Sequence, residues 1–183
     1  SPELFFDLDC RSGTITTRPM KGTAPRGATP EADAAQAAAL RNSAKERAEN
    51  VMIVDLLRND LGRIAQTGSV HVPQLLHTEP YPTLWQMTST VQTTTRPGTT
   101  FTQVLQALFP CGSITGAPKH MAMQKIAAAE ATPRDVYCGA VGFFHKNRAL
   151  FNVAIRTITH TPALPGHADA CSHMRCGTGG GIT

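Results

Sequence analysis

The chain has 183 residues, of which 41% are hydrophobic, and its formal net charge is +4. This length is sufficient for one domain with a hydrophobic core. The 17 Lys and Arg residues are scattered along the chain. Their distribution argues against nucleic acid as a partner and is compatible with a mildly basic cleft for a small anion.

The first third of the chain predicts two strands followed by two helices. Residues 1–18 are typical of two short strands around the turn at 11–13, and the Pro/Gly-rich residues 19–29 predict a loop. Thr29 and Pro30 are typical of a helix start, and the helix is expected to end near Arg41. The sequence "SAKE" at 43–46 is a capping-box pattern that predicts a second helix to about Asn59.

The remaining elements alternate between strands and helices. The stretches "SVHV" and "LWQMTSTVQT" alternate like strands, and "TQVLQALF" predicts a short helix. The loop "FPCGSITGAPK" leads into a helix from Pro118 through Glu130. Residues 135–144 and 149–160 predict a hairpin around 146–148, and a last strand runs into the glycines. Helices and antiparallel strands in mixed order indicate an α+β fold.

The cysteines and the chain ends bear on compartment and domain limits. Five cysteines form no C-x-x-C pair, and no signal peptide or run of about 18 apolar residues is visible. We therefore expect free thiols, a reducing cytoplasmic compartment and no membrane partner. The chain begins at Ser1 without an initiator methionine and ends on "GTGGGIT". We expect residues 1–183 to be part of a single domain that continues beyond both ends.

Two glutamates of the second predicted helix are candidates for a metal site. Met52, Ile53 and Leu56 follow Glu49 at helical spacing, which places Glu49 on the predicted buried stripe, and Glu46 lies one turn before it. A buried carboxylate is costly unless it is paired or binds a metal, and two carboxylates suit Mg²⁺. The alternative is that Glu46 only caps the helix and that Glu49 pairs with an arginine.

Two glycine-containing segments are candidates for ligand contacts. "GSITGAPK" precedes a helix N-terminus, where exposed amides favour an anion. Gly179, Gly180 and Gly181 allow a ligand to approach the backbone closely. An ordinary tight loop and a glycine-rich strand end are the respective alternatives.

Four further side chains have a possible chemical role. Strand alternation places Arg156 in an apolar strand, where it needs an anionic partner such as a carboxylate, and Tyr137 starts the preceding predicted strand. Glu3 precedes an apolar run, which would raise its pKa and suit a general acid. Lys21 would be nucleophilic only if its ammonium form were destabilised. A structural ion pair, a core tyrosine, a frayed terminus and a surface lysine are the alternatives.

Taken in order, these segments resemble the chorismate-binding enzymes, a family that includes anthranilate, aminodeoxychorismate, isochorismate and salicylate synthases. The resemblance covers essentially the whole chain and is carried by "SPELF", "RPMKGTAPRG", "SAKERAENVMIVDLLRNDLGR", "GSVHVP", "FPCGSITGAPKHMAMQKI", "YCGAVGFF", "FNVAIRTI" and "GTGGGIT". It implies the C-terminal portion of an α+β catalytic domain of about twice this size, with two packed antiparallel sheets and surrounding helices.

The resemblance also implies a substrate and a metal. Family enzymes bind chorismate with Mg²⁺ bridging its carboxylate, which makes Glu49 a metal ligand with Glu46 beside the metal. Arg156 and Tyr137 would hold a substrate carboxylate. The loop around Ser113 and the amides of Gly179, Gly180 and Gly181 would contact the substrate.

Lys21 indicates a branch of the family. "RPMKGTAPRG" looks like the aminodeoxychorismate synthase pattern, in which the lysine acts as a nucleophile at C2 of chorismate. Glu3 matches the general acid that helps to expel the C4 hydroxyl, and ammonia comes from a glutamine amidotransferase partner. The alternatives are an anthranilate or an isochorismate/salicylate synthase, and an inactive partner-binding scaffold. Gln86 departs from the pattern, because the family usually has histidine there.

Overall fold

The computed structural model describes residues 3–162 and 172–180. The strands and helices that it contains are, in chain order, β1 Leu4–Asp9, β2 Thr14–Arg18, β3 Met20–Pro25, α1 Pro30–Asn42, α2 Ala44–Gly62, β4 His71–Pro80, β5 Leu84–Thr94, α3 Phe101–Leu108, a 3₁₀ turn Gly112–Ile114, α4 Lys119–Ala129, β6 Ala140–His145, β7 Arg148–Val153, β8 Ile158–Thr161 and β9 His173–Cys176.

One antiparallel sheet organises the chain. Its strand order is β3-β5-β2-β1-β7-β6, and β4 also pairs with β5. Strands β8 and β9 form a separate two-stranded sheet. Strands β2 and β3 are consecutive in the chain, and both pair with the long strand β5. Since β1 pairs with β2, this places β1 and β3 in the same sheet. The α+β prediction is confirmed.

The main core lies where α2 and α3 pack on the sheet. Phe6 of β1, Ile53 and Leu57 of α2, and Val104 of α3 are each at most 2% exposed. Burial of such side chains stabilises the fold by about 1.5–3 kcal/mol each. A smaller cluster around Leu40 fixes α1 against β3 and β5. The two clusters hold the N-terminal strands and α2 in one arrangement, which is the frame of the candidate site.

The predicted helix starts are confirmed. The Thr29 hydroxyl accepts from the Ala32 amide at 3.2 Å, and the Ser43 hydroxyl accepts from the Glu46 amide at 3.4 Å. The second half of the predicted capping box is wrong, because the Ser43 amide donates to the Leu40 carbonyl instead. Ser43 therefore caps the helix through the Glu46 amide, and the Glu46 carboxylate takes no part in the cap.

Two local predictions are wrong. Met52 is 43% exposed, because the buried face of α2 runs through Asn50, Ile53 and Leu57, which places Glu49 at the edge of this face. The segment 19–29, for which the sequence predicts a loop, contains the strand β3. Its residues have no strand-like sequence pattern, and the strand forms because its backbone pairs with β5.

Two expectations about the chain as a whole can be compared with the described residues. Cys10, Cys111, Cys138 and Cys176 are free thiols, as expected. Within residues 3–162 and 172–180, no helix is long and apolar enough to span a membrane.

Candidate active site

Lys21 lies at a β-bulge between β3 and β5. Met20 pairs with Thr88 and Thr23 pairs with Gln86, so Lys21 and Gly22 together oppose a single residue of β5. Gly22 has a φ of +95°, which glycine adopts without the steric cost of a Cβ. Bulges change the direction of side chains at the edges of sheets and next to active sites. The Lys21 ammonium nitrogen donates to the Ser113 carbonyl at 3.2 Å, 92 residues further along the chain.

Glu3 is buried at the same place. It precedes β1, and only 4% of its surface is exposed. Burial raises the pKa of the Glu3 carboxyl above its usual 4.5, although a hydrogen bond with Ser113 and the charge of Lys21 oppose the rise. Ser113 is therefore a common neighbour of the two predicted catalytic side chains. A buried carboxyl with a raised pKa is suited to supplying a proton to a leaving group.

Ser113 belongs to the short 3₁₀ turn Gly112–Ile114, which packs against α2. A Cβ added to Gly112 would lie 2.4 Å from Leu56 Cδ2, so the backbone of the turn rests directly on α2. The Cys111 sulfur lies 3.2 Å from the Ser113 hydroxyl oxygen. Burial, together with the charge of Glu3, raises the pKa of the Cys111 thiol to about 12, so this thiol stays protonated at neutral pH.

A buried ion pair closes the loop that carries Ser113. Lys119 opens α4, and its ammonium nitrogen lies 2.5 Å from Asp60 Oδ2 and 3.0 Å from the Leu108 carbonyl at the end of α3. The Asp60 side chain is 4% exposed and that of Lys119 is 14% exposed. Sequence analysis missed both residues, although an acid in the apolar register of α2 is a signal that could have identified Asp60.

Glu46 and Glu49 lie at the edge of the same region. The Cβ and Oε2 atoms of Glu46 are each 3.1 Å from the position that a Cβ on Gly22 would occupy. The Glu46 carboxylate therefore lies against Gly22, the residue that follows Lys21. Glu49 is half-buried, one turn along α2, and Lys45 lies 3.6 Å from its Oε1. No group of three or more His, Cys, Asp or Glu side chains suited to a metal occurs within the described residues. Carboxylate oxygens are the ligand type that Mg²⁺ uses, and Mg²⁺ binds one or two protein carboxylates and keeps several waters.

Tyr137 and Gly179 are brought together. Tyr137 lies in a turn rather than at the start of a strand, since β6 begins at Ala140, so that part of the prediction is wrong. A Cβ on Gly179 would lie 2.6 Å from the Tyr137 hydroxyl oxygen, and a Cβ on Gly177 would lie 2.2 Å from Cγ of the Tyr137 ring. A Cβ on Gly180 would meet no atom of the described residues within 4 Å, and Gly181 lies outside those residues.

The predicted position of Arg156 in a strand is wrong. Strand β7 ends at Val153 and β8 begins at Ile158, and Arg156 occupies an exposed bend between them with a φ of +50°. The Ala154 amide donates to the Gly139 carbonyl and the Ala154 carbonyl accepts from the Cys138 amide, so the chain stays paired with the segment before β6 only as far as Ala154. Arg156 is therefore exposed at the surface and does not belong to a strand of the main sheet.

Comparison with known proteins decides the family. The family model for the chorismate binding enzyme matches residues 1–183. The chain belongs to the chorismate-binding enzyme family. It is 47% identical over 184 residues to aminodeoxychorismate synthase component 1 of Klebsiella aerogenes, a match that covers 100% of this chain and 38% of that protein. It is 46% identical over 142 residues to anthranilate synthase component 1 of Aeropyrum pernix, covering 78% of this chain and 32% of that protein.

The fold agrees with the family assignment. The crystal structure of anthranilate synthase component I from Streptococcus pneumoniae matches with a TM-score of 0.76 and 36% identity, over 86% of this chain and 34% of that chain. The chain thus spans 38% of the length of the Klebsiella relative.

Proposed function

We propose that this chain carries part of the active site of an aminodeoxychorismate synthase component I, which converts chorismate and ammonia into 4-amino-4-deoxychorismate, the precursor of p-aminobenzoate and folate. One observation carries the proposal. The Lys21 amine and the buried Glu3 carboxyl share Ser113 as a neighbour, which supports their acting together as nucleophile and acid.

The first step uses both side chains. After the Lys21 ammonium has released a proton to solvent, its amine attacks C2 of chorismate, the two ring double bonds shift, and the C4–oxygen bond breaks. Glu3, whose pKa is raised by burial, gives its proton to the departing hydroxyl, which leaves as water. The result is a covalent adduct at Lys21 and an ionised Glu3.

The second step reverses the shift. Ammonia attacks C4, the double bonds return to their first positions, and the C2–nitrogen bond breaks to release the Lys21 amine. The new C4 ammonium gives one proton to the Glu3 carboxylate, so both side chains return to their starting states. The net reaction is chorismate plus ammonia giving the 4-amino product plus water.

The remaining candidates bind and orient the substrate. Glu46 and Glu49 would hold Mg²⁺, which supplies positive charge to the ring carboxylate of chorismate. Arg156 and Tyr137 would bind the second carboxylate, since a guanidinium and a phenolic hydroxyl both donate hydrogen bonds to carboxylate oxygens. The amides of 179–181 and the Ser113 loop would contact the substrate.

A glutamine amidotransferase is the proposed source of ammonia. The Klebsiella relative is named as a component 1, which supports a second component that supplies what this one consumes. The proposed reaction needs free ammonia at C4, and an amidotransferase subunit or domain releases it from glutamine.

Anthranilate synthase chemistry is the second candidate. The Aeropyrum relative is about as identical to this chain as the Klebsiella one, so overall identity does not separate the two reactions. In that reaction ammonia adds at C2, and a lysine nucleophile at the same carbon has no role. Lys21 therefore favours the C4 product.

A product assay tests the proposal. The complete protein that contains these residues is incubated with chorismate, Mg²⁺ and ammonium, with aminodeoxychorismate lyase in half of the samples. We expect p-aminobenzoate only with the lyase, loss of product in Lys21→Ala, and normal product in Lys125→Ala, which removes an exposed lysine of α4. Anthranilate formed without lyase would establish the second candidate. Failure to bind chorismate and Mg²⁺ would favour a partner-binding scaffold.

A further inference from the structure

Gln86 is a buried amide that holds the backbone next to Lys21. It lies in β5, opposite Thr23, and is 6% exposed. Its Nε2 donates to the Gly22 carbonyl at 2.7 Å, and its Oε1 accepts from the Thr23 hydroxyl at 3.0 Å. Both ends of the amide are therefore used on the two residues that directly follow Lys21. A buried amide with both ends satisfied rigidifies the groups that it joins.

The backbone that Gln86 holds does not fit a regular ladder. At the bulge, Lys21 and Gly22 share one partner residue on β5, so the regular alternation of backbone hydrogen bonds is interrupted. A backbone carbonyl shielded from water needs another donor when it has no ladder partner, and Gly22 is partly buried. The side chain of Gln86 supplies this donor for Gly22.

The same glycine is enclosed by α1 and α2. Leu40 Cδ1 and the Cβ and Oε2 atoms of Glu46 are each 3.1 Å from the position of a Cβ on Gly22. Gly22 is thus fixed between the Gln86 amide and two helices, and its φ of +95° sets the direction in which the preceding residue projects.

We propose that Gln86 is a positioning residue, whose amide fixes the bulge so that the Lys21 amine meets the Ser113 carbonyl beside Glu3. This inference rests on the proposed function of Lys21. It gives a reason for an amide at position 86, because the side chain must donate to one backbone carbonyl and accept from one hydroxyl at the same time. Gln86 does not contact the substrate in this proposal; it fixes the position of Lys21 in the site.

Three variants of the complete protein test the proposal. Gln86→Leu removes both hydrogen bonds, and Gln86→Glu keeps the size and the acceptor for Thr23 but removes the donor to Gly22. Gln92→Leu is the matched control, because Gln92 lies in the same strand and its Nε2 donates across the sheet to the Thr16 hydroxyl at 2.9 Å, away from the site.

The first measurement is steady-state kinetics. We expect both Gln86 variants to lower kcat on the order of 100-fold, since displacement of a reacting group by about 1 Å has an effect of that size. KM for chorismate should stay within about threefold of the wild-type value, because lost positioning acts on the reacting step. Gln92→Leu should keep kcat within about threefold. A kcat of Gln86→Leu equal to that of Gln92→Leu would overturn the proposal.

The second measurement does not depend on catalysis. Lysines are labelled with trace acetic anhydride, and the labelling of Lys21 relative to the exposed Lys125 is read by mass spectrometry. We expect this ratio to change in both Gln86 variants and to remain at the wild-type value in Gln92→Leu. An unchanged ratio in Gln86→Leu would overturn the positioning role even if activity falls. Full activity of Lys21→Ala would overturn the proposed function instead, and the labelling ratio would still decide the role of Gln86.

Discussion

Replacing Lys119 by methionine should destabilise the protein strongly, because it leaves a buried carboxylate without its cation. Lys119 lies 2.5 Å from Asp60 Oδ2 and also donates to the Leu108 carbonyl. Asp60 is only 3% exposed, so water cannot replace the lost ammonium. The change keeps the length and apolar stem of the side chain and removes only the charge and its hydrogen bonds.

The expected magnitude follows from this burial. Breaking a buried ion pair by removing one partner costs about 3–5 kcal/mol. For a domain of this size, a loss of 1 kcal/mol lowers Tm by about 2–4 °C, so Lys119→Met should melt about 6–20 °C below the wild type. The double variant Asp60→Leu with Lys119→Met removes both charges and should recover most of the loss, since apolar pairs often replace buried ion pairs without penalty.

The loss should also depend on pH. Burial raises the pKa of Asp60 above its usual 3.8, while Lys119 opposes the rise, so the pKa should rise further in Lys119→Met. A carboxyl with a raised pKa in the folded state favours folding when protonated, and that advantage is lost as pH rises through the folded-state pKa. The deficit of the variant should therefore be smallest in acid and grow toward neutral pH.

Urea unfolding of the complete protein at several pH values measures these differences. The three proteins compared are the wild type, Lys119→Met and the double variant. A deficit below about 1 kcal/mol at neutral pH would refute the reasoning, because exposed pairs contribute no more than that. A double variant as unstable as Lys119→Met would refute it as well.

Three further predictions concern the site itself. Gly22→Ala should lower the free energy of unfolding in urea by about 1–3 kcal/mol, because the new Cβ would lie 3.1 Å from Glu46 at a φ of +95°. Gly62→Ala is the control and should lower it by less, because a Cβ there meets no atom within 4 Å. Equal losses in the two variants would contradict this. Glu3→Gln should match the wild type in stability below pH 4.5 and exceed it at higher pH, since the raised pKa makes ionised Glu3 unfavourable in the folded state; a variant that is less stable at pH 8 would contradict this. Glu49→Gln should raise the Mg²⁺ concentration for half-maximal activity on the order of tenfold, and an unchanged Mg²⁺ dependence would exclude a metal-binding role.

The local features of the fold were predictable where the sequence carries a short-range signal. Thr29 and Ser43 cap their helices as expected, because capping involves residues only three positions apart. The hairpin of β6 and β7 was also predicted, since its two strands are adjacent in the sequence.

Long-range pairing explains what the sequence did not reveal. The segment at 19–29 has the Pro and Gly content of a loop, yet residues 20–25 form β3 because β5, about 60 residues away, supplies partners for its backbone. Arg156 satisfies the alternation of a strand, but the chain leaves the sheet after Val153, and no pattern of residue types encodes that exit.

The candidate site was predictable as a set of residues and not as an arrangement. Glu3, Lys21 and Ser113 were each ambiguous alone, and the resemblance to a family selected them together. Their proximity depends on the bulge at Gly22 and on the loop closed by Lys119, and both features arise from contacts between distant segments.

The most direct test of the account is a search for the covalent intermediate at Lys21. The complete protein is mixed with chorismate and Mg²⁺ in the absence of ammonia and glutamine, quenched, digested and analysed by mass spectrometry. We predict that the peptide containing Lys21 gains the mass of chorismate minus water, and that added ammonium removes the adduct. Absence of any adduct, together with formation of 4-amino-4-deoxychorismate by Lys21→Ala, would contradict the account.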